Sequence, residues 1–213
     1  MKKNIYSITL LDEVVRAVDR AAFERGMTRS GLINKILAEH LGLSTPETRQ
    51  RDIFTELARL MSGDDNFLVH PESRDSLFAV KSSLRFKYNP TKRYSVAIYP
   101  DVGEYFGEVR ASLRTQNARL ISELDVFFAM WQKLEDAYSG ERLSEFGEGK
   151  FVRRLRTPKN ADTEALGRSA ARYIRHLNDG ISAHFGLYPD MTASAAYVSK
   201  LYGDYINSSD NIV

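Results

Sequence analysis

Hydrophobic positions change period along the chain, and the changes divide it into parts. From residue 4 to 10 the order Asn-Ile-Tyr-Ser-Ile-Thr-Leu alternates, with Tyr6, Ile8 and Leu10 on one side and Ile5, Ser7 and Thr9 on the other. That is the pattern of a strand. The period then lengthens to three and four. Val14, Val15, Val18, Ala21 and Ala22 stripe a helix that opens with Asp12 and Glu13, whose charge suits the positive end of the helix dipole. Gly26 is placed to end this helix in a left-handed conformation, and Thr28 to cap the next. Leu32, Ile33, Ile36, Leu37 and Leu41 stripe the second helix, and Gly42 closes it. A strand followed by two helices has backbone donors and acceptors with nothing beside them. The simplest partner is the same strand from a second copy of the chain.

Leu43-Ser44-Thr45-Pro46 reads as a break, with Pro46 suited to a first helical turn. Ile53, Leu57, Leu60 and Met61 then predict a connecting helix, bounded within residues 44–63 by Ser62-Gly63. From about Ser76 the period is two. Leu84, Phe86 and Tyr88 oppose Arg85 and Lys87, Asn89 to Lys92 reads as a turn, and Tyr94, Val96 and Ile98 resume an apolar face. A third strand is expected from Tyr105 to Leu113, after the turn Pro100 to Gly103. Between Asn117 and Tyr138, Leu120, Leu124, Phe127, Trp131, Leu134 and Tyr138 mark a helix that can cover the sheet. Helical spacing returns after Lys159 through Leu177, is broken at Gly180 and Pro189, and resumes from Ala193 to Ile206. The expected fold class is α+β. It comprises a strand-helix-helix unit at 1–43, a connecting helix at 44–63, and an α+β domain at 64–213 with a small antiparallel sheet packed by helices.

The first segment resembles a ribbon-helix-helix domain of the MetJ/Arc superfamily, in its short CopG-like form. The resemblance rests on the strand running into Ile8-Thr9-Leu10, the helix opening at Leu11-Asp12-Glu13-Val14, and the turn Gly26-Met27-Thr28-Arg29-Ser30. It covers about a fifth of the chain, and the remainder resembles no family. It implies a homodimer in which two strands pair antiparallel, four helices share a core, and the ribbon enters the major groove of double-stranded DNA. Ile5, Ser7 and Thr9 would then face the bases, with Tyr6, Ile8 and Leu10 packed on the helices. Lys3, Thr28, Arg29 and Ser30 would hold phosphate, the last three at the N-terminus of the second helix. Two positions depart from the family pattern. Ile5 stands where a polar or basic residue is usual and offers only apolar contact, and Gly31 stands where a Glu often completes a capping box.

Short Ser and Thr side chains make single contacts, whereas a bidentate pair is worth ~1–3 kcal/mol of discrimination. One such ribbon reads its site weakly, so a palindromic or repeated operator and further oligomerisation on DNA are expected.

The 213 residues leave room for one further domain of ordinary size. The absence of cysteine excludes a disulfide scaffold and thiolate metal sites, and fits a cytoplasmic protein. No apolar run is long enough to span a bilayer, and residues 1–7 lack the apolar core of a signal peptide. The net charge of +2 conceals segregation. Residues 81–93 carry five basic residues and no acid, 101–148 carry ten acids against five bases, and 150–175 carry eight bases against two acids. Such runs are a possible second nucleic-acid surface, but more often a solvated face or ion-pair partners for acidic neighbours. The latter is the preferred reading.

No catalytic, cofactor or metal motif stands out. His40, His70, His176 and His184 lack zinc-site spacing, and Gly147-Glu148-Gly149-Lys150 lacks the remaining glycine and hydroxyl of a phosphate loop. The function expected is therefore site-specific DNA binding, most simply as a transcriptional repressor. An accessory protein of a plasmid or other mobile element, or an antitoxin, would use the same DNA mechanics with a different protein partner. A DNA-tethered enzyme would need Glu104, Glu108, Arg110 and His70 to meet in a cleft.

Overall fold

Two glycines end the first two helices in the same manner. After α1 (Asp12–Glu24), the Gly26 N–H donates to the Phe23 carbonyl at 3.1 Å and the Met27 N–H to that of Ala22 at 2.9 Å. After α2 (Arg29–His40), Gly42 donates to Glu39 at 3.2 Å and Leu43 to Ala38 at 2.8 Å. Each arrangement requires one left-handed residue, and Gly26 and Gly42 supply it at φ +59° and +68°. Without a Cβ they adopt it at little cost while satisfying carbonyls that a helix end leaves open.

The computed structural model describes residues 5–69, 77–101, 103–157 and 162–208. It divides into two compact units, Met1–Arg49 and Gln50–Val213. The division falls inside α3 (Pro46–Ser62), the helix expected to be a connector. Beyond Arg49 this helix belongs to the second unit, because Ile53, Phe54, Leu57 and Met61 are buried in that unit's core.

In the first unit, α1 and α2 form where their stripes predict. The strand expected at residues 4–10 does not form in the single chain: residues 5–10 are neither strand nor helix, and all are exposed. A strand exists by pairing, and every strand pairing among the described residues is made within the second unit. Tyr6 and Ile8, expected to pack on the helices, are accordingly 81% and 60% exposed.

The second unit is α+β. Its strands are β1 (Leu68–Val69), β2 (Phe78–Ser83), β3 (Thr91–Ile98), β4 (Tyr105–Arg114), β5 (Ser144–Gly147) and β6 (Lys150–Arg156). They form one antiparallel sheet in the order β1-β2-β3-β4-β6-β5. Its further helices are α4 (Ala118–Ser139), α5 (Thr163–Leu187) and α6 (Met191–Asn207). Asn117, Asp162 and Asp190 cap these three by accepting from free backbone N–H groups in the first turn.

Helices cover one face of the sheet. Its in-register rows run Phe78–Val96–Val109–Arg153–Ser144 and Val80–Tyr94–Ala111–Phe151–Phe146. Phe54 of α3 meets Phe78, Phe128 of α4 stacks on Phe151 at 4.9 Å, and Asn178 of α5 meets the Tyr94 hydroxyl. The opposite face is polar, with a row Lys81–Arg93–Ser112–Lys150 crossing β2, β3, β4 and β6. One covered face and one wet face is the usual economy of an antiparallel sheet.

Three sequence expectations need correction. The turn between β2 and β3 spans residues 84–90, earlier than Asn89–Lys92, because Tyr88 and Asn89 take positive φ and Leu84 accordingly lies past the end of β2. The β5–β6 hairpin was not anticipated; Glu148 and Gly149 make its turn at φ +53° and +70°. Gly180 does not break a helix, since α5 runs straight through it. It is there for space: a Cβ at this position would stand 2.7 Å from Cζ3 of Trp131 and 3.1 Å from Cζ of Phe127, both fully buried.

Lys92 faces the covered side, 2% exposed, and its ammonium donates to the Ser182 hydroxyl at 2.6 Å. Burial pushes its pKa down to about 8, against the opposing pull of Asp179. Between pH 8 and the ordinary lysine value the unfolded chain holds a proton that the folded chain lacks, so stability rises with pH there. This one group contributes up to about 3 kcal/mol of that rise. Lys92→Met is expected to raise stability at pH 7 and to flatten the difference between urea unfolding at pH 8 and pH 10. An unaltered pH slope in the variant would refute the assignment.

Candidate nucleic-acid interface

Thr28 begins α2 in extended backbone, and its hydroxyl accepts from the Gly31 N–H at 3.2 Å. That is the capping role its residue type predicts. The glycine at 31, where a Glu could have reached back, leaves the hydroxyl room: a Cβ there would sit 3.0 Å from Thr28 Oγ1. Arg29 and Ser30 occupy the first two helical positions, exposed, and their backbone N–H groups meet no acceptor among the described residues. The arrangement can take an anion by backbone donors and helix dipole together.

The Arg29 side chain is already engaged. Its guanidinium grips Asp19 of α1 with both arms, at 2.5 and 2.6 Å. The hydrogen bonds from Arg29 hold the Asp19 carboxyl below its usual range and raise the guanidinium in turn. Water screens an exposed pair of this type, so a phosphate could compete for Arg29 at small cost. In the single chain the pair ties the start of α2 to α1.

Ile5, Ser7 and Thr9 lie on the exposed segment before α1, without strand geometry. Lys3 lies outside the described residues. The apolar side of this unit is largely uncovered. Ala22, Leu32 and Ala38 are buried, whereas Ile8, Leu10, Val14, Ile36, Leu37, Leu41 and Leu43 are exposed, most of them belonging to the periodic stripes read from the sequence.

Four bases of the run 150–175 are held in ion pairs. Arg153 meets Glu135 of α4 at 2.8 Å with both side chains buried. Arg156 meets Glu141, Arg168 meets Glu164 at 2.6 Å, and Arg175 meets Asp64 at 3.2 Å. Two of these acids, Glu135 and Glu141, come from the negative stretch 101–148. Of the four residues that a tethered enzyme would gather, Glu108 and Arg110 pair with each other at 2.5 Å, and the Tyr99 hydroxyl donates to Glu108 at 3.0 Å. Glu104 is exposed in the loop before β4, and His70 lies outside the described residues.

The buried polar cluster around Glu135 escaped sequence reading. The Tyr173 hydroxyl donates to Glu135 Oε1 at 2.7 Å and accepts from Trp131 Nε1 at 3.2 Å, while the Arg153 guanidinium stacks 4.4 Å from the Tyr173 ring. Burial and the Glu135 charge push the Tyr173 hydroxyl well up, so it stays a donor. The one available signal was the alternation Phe151, Arg153, Leu155, which places an arginine among core positions of a strand.

No helix among the described residues is long and apolar enough to cross a membrane. Neither a family model, nor a curated protein, nor a solved structure matches the chain.

Proposed function

We propose that the chain is a homodimeric, site-specific binder of double-stranded DNA, acting as a transcriptional repressor through a two-stranded ribbon in the major groove. The observation that carries this reading is the uncovered apolar side of residues 5–43. Two helices, each with a well-formed end, bury only Ala22, Leu32 and Ala38 and leave Leu10, Val14, Ile36, Leu37 and Leu41 in water. Burying an apolar side chain of that size is worth ~1.5–3 kcal/mol, so half a core of this kind favours a partner with the same stripe. Pairing of two 5–10 segments would satisfy their open backbone groups in the same step. It would turn Tyr6, Ile8 and Leu10 inward and leave Ile5, Ser7 and Thr9 outward, as alternation requires. Thr28 to Ser30 would then hold phosphate at the start of α2.

Ser7→Ala with Thr9→Ala is expected to lower the preference for the chain's own upstream DNA over a scrambled duplex by about tenfold at fixed salt, a loss of ~1.4 kcal/mol. Folding should be untouched, since both residues are exposed. An unchanged preference in a protein that still binds the upstream DNA selectively would exclude these residues as readers of sequence.

A further inference from the structure

Two basic stretches far apart in sequence, 81–93 and 150–156, are brought by the fold into one sheet, and each gives cations to its open face. Arg93 of β3 pairs in register with Ser112 of β4, and Ser112 with Lys150 of β6. Arg114 lies two residues further along β4, beside Thr91 of β3. Directly paired residues project to the same side, so Arg93, Arg114 and Lys150 share the face turned away from the helices. Strand spacing and rise put the three backbone positions about 8–10 Å apart. All three are exposed, and none pairs with an acid among the described residues. The other two exposed arginines of the face are held in place: Arg110 by Glu108, and Arg154 by the Arg142 carbonyl and the Tyr105 ring.

We propose that this open sheet face is a second DNA contact, one that binds the phosphate backbone of duplex DNA without reading sequence. Charge complementarity selects the ligand: Arg93, Arg114 and Lys150 are cations with no acid to answer them among the described residues, set among the short hydroxyls of Ser95, Thr91 and Ser112. Arginine, lysine and serine or threonine hydroxyls are the side chains that hold phosphate oxygens. Around the three cations the strand positions of this face are Thr91, Ser95, Ser112 and Val152, while Glu108 and the rings of Tyr99 and Tyr105 lie towards its other end, where they engage Arg110 and Arg154. Single-stranded nucleic acid is gripped by stacking platforms, and no ring is set among these three cations, so a duplex fits better. The choice of duplex rests on the proposed role of the N-terminal unit, which would deliver the same DNA. A sequence-blind contact of this kind adds the affinity that a ribbon of short side chains lacks.

The test uses the full chain and three proteins: wild type, the triple variant Arg93→Ser/Arg114→Ser/Lys150→Ser, and Ser7→Ala/Thr9→Ala. Affinity for the upstream duplex and for a scrambled duplex is measured across a salt series, with thermal melting as a check on folding. Each neutralised phosphate contributes about 0.9 to the slope of log K against log salt. The triple variant should lose about 2–3 from that slope and weaken on both duplexes alike, keeping the ratio between them. An unchanged slope in the triple variant overturns the sheet-face contact and leaves the ribbon reading intact. Wild-type binding without sequence preference, with the slope still reduced in the triple variant, supports the sheet face and overturns the ribbon reading. Absence of duplex binding by the wild type at low salt overturns both. If polyglutamate or single-stranded DNA binds in a way that needs the three cations while duplex binding does not, the surface serves another anion and the proposal falls.

Discussion

Arg153→Met alone is expected to destabilise the second unit by about 3–5 kcal/mol, and the double change Arg153→Met/Glu135→Leu by far less. The two charges sit in the core with side chains 2% and 0% exposed, 2.8 Å apart. Burial by itself would pull the guanidinium down, but the Glu135 carboxylate together with the Tyr173, Tyr205 and Tyr202 hydroxyls outweighs it, and Arg153 stays charged. Removing the arginine strands a carboxylate whose remaining donor among the described residues is the Tyr173 hydroxyl. Removing both charges lets apolar side chains fill the buried space beside the Tyr173 ring. Urea unfolding of the two singles and the double gives the coupling energy directly. Equal losses in single and double variants would mean that packing volume, and not charge, sets the cost. A large coupling would show instead that the pair fixes the register of β6 against α4 at little net gain in stability.

Gly107→Ala is expected to cost about 3 kcal/mol or more, the upper range for forced overpacking, because the atoms it strikes are backbone. A Cβ at 107 would lie 2.3 Å from the Ala97 carbonyl oxygen, and 3.3 Å from the Ala97 carbonyl carbon and the Ile98 Cα. No rotamer change relieves such a contact; β3 and β4 would have to part in the middle of the sheet. The position follows the irregularity between Tyr105 and Gly107, where β4 shifts register against β6 and comes unusually near its other neighbour. Gly147→Ala in β5 is the matched control. Nothing lies within 4 Å of a Cβ there, so it should change stability by no more than about 0.5 kcal/mol. If melting of the two variants were shifted alike, the close approach of β3 to β4 would not be a tight constraint.

What could be read in advance came from local chemistry. The ends of α1 and α2 were visible as Gly26 and Gly42, and the start of α2 as Thr28, because a left-handed residue and a capping hydroxyl are demands of the backbone at one place. The stripe of α4 was visible because Leu120, Leu124, Phe127 and Trp131 bury one side of one helix. The β5–β6 hairpin was hidden because half of its covered side is polar: Ser144 and Arg153 stand where an apolar residue would have completed the alternation. Their burial makes sense only once Glu135 and Gln132 are in place on α4; the Gln132 amide donates to the Ser144 carbonyl. Gly180 misled for a similar reason. Its lack of a side chain answers to Trp131 and Phe127, some fifty residues earlier, and not to its own helix. The candidate interface divides along the same line. Thr28, Arg29 and Ser30 stand where the turn predicts, whereas the claim of Asp19 on Arg29 depends on how α1 and α2 pack, and the ribbon depends on a second chain.

The position of α3 also bears on how such a protein is assembled from parts. Its first turn carries the exit from the N-terminal unit, with Thr45 accepting from the Thr48 N–H at 3.1 Å, while Ile53, Phe54, Leu57 and Met61 are core residues of the second unit. A genetic exchange that cut after Ser62 would strip four buried side chains from the larger unit. The exchangeable cassette therefore ends near Leu43, and α3 travels with the sheet it helps to seal.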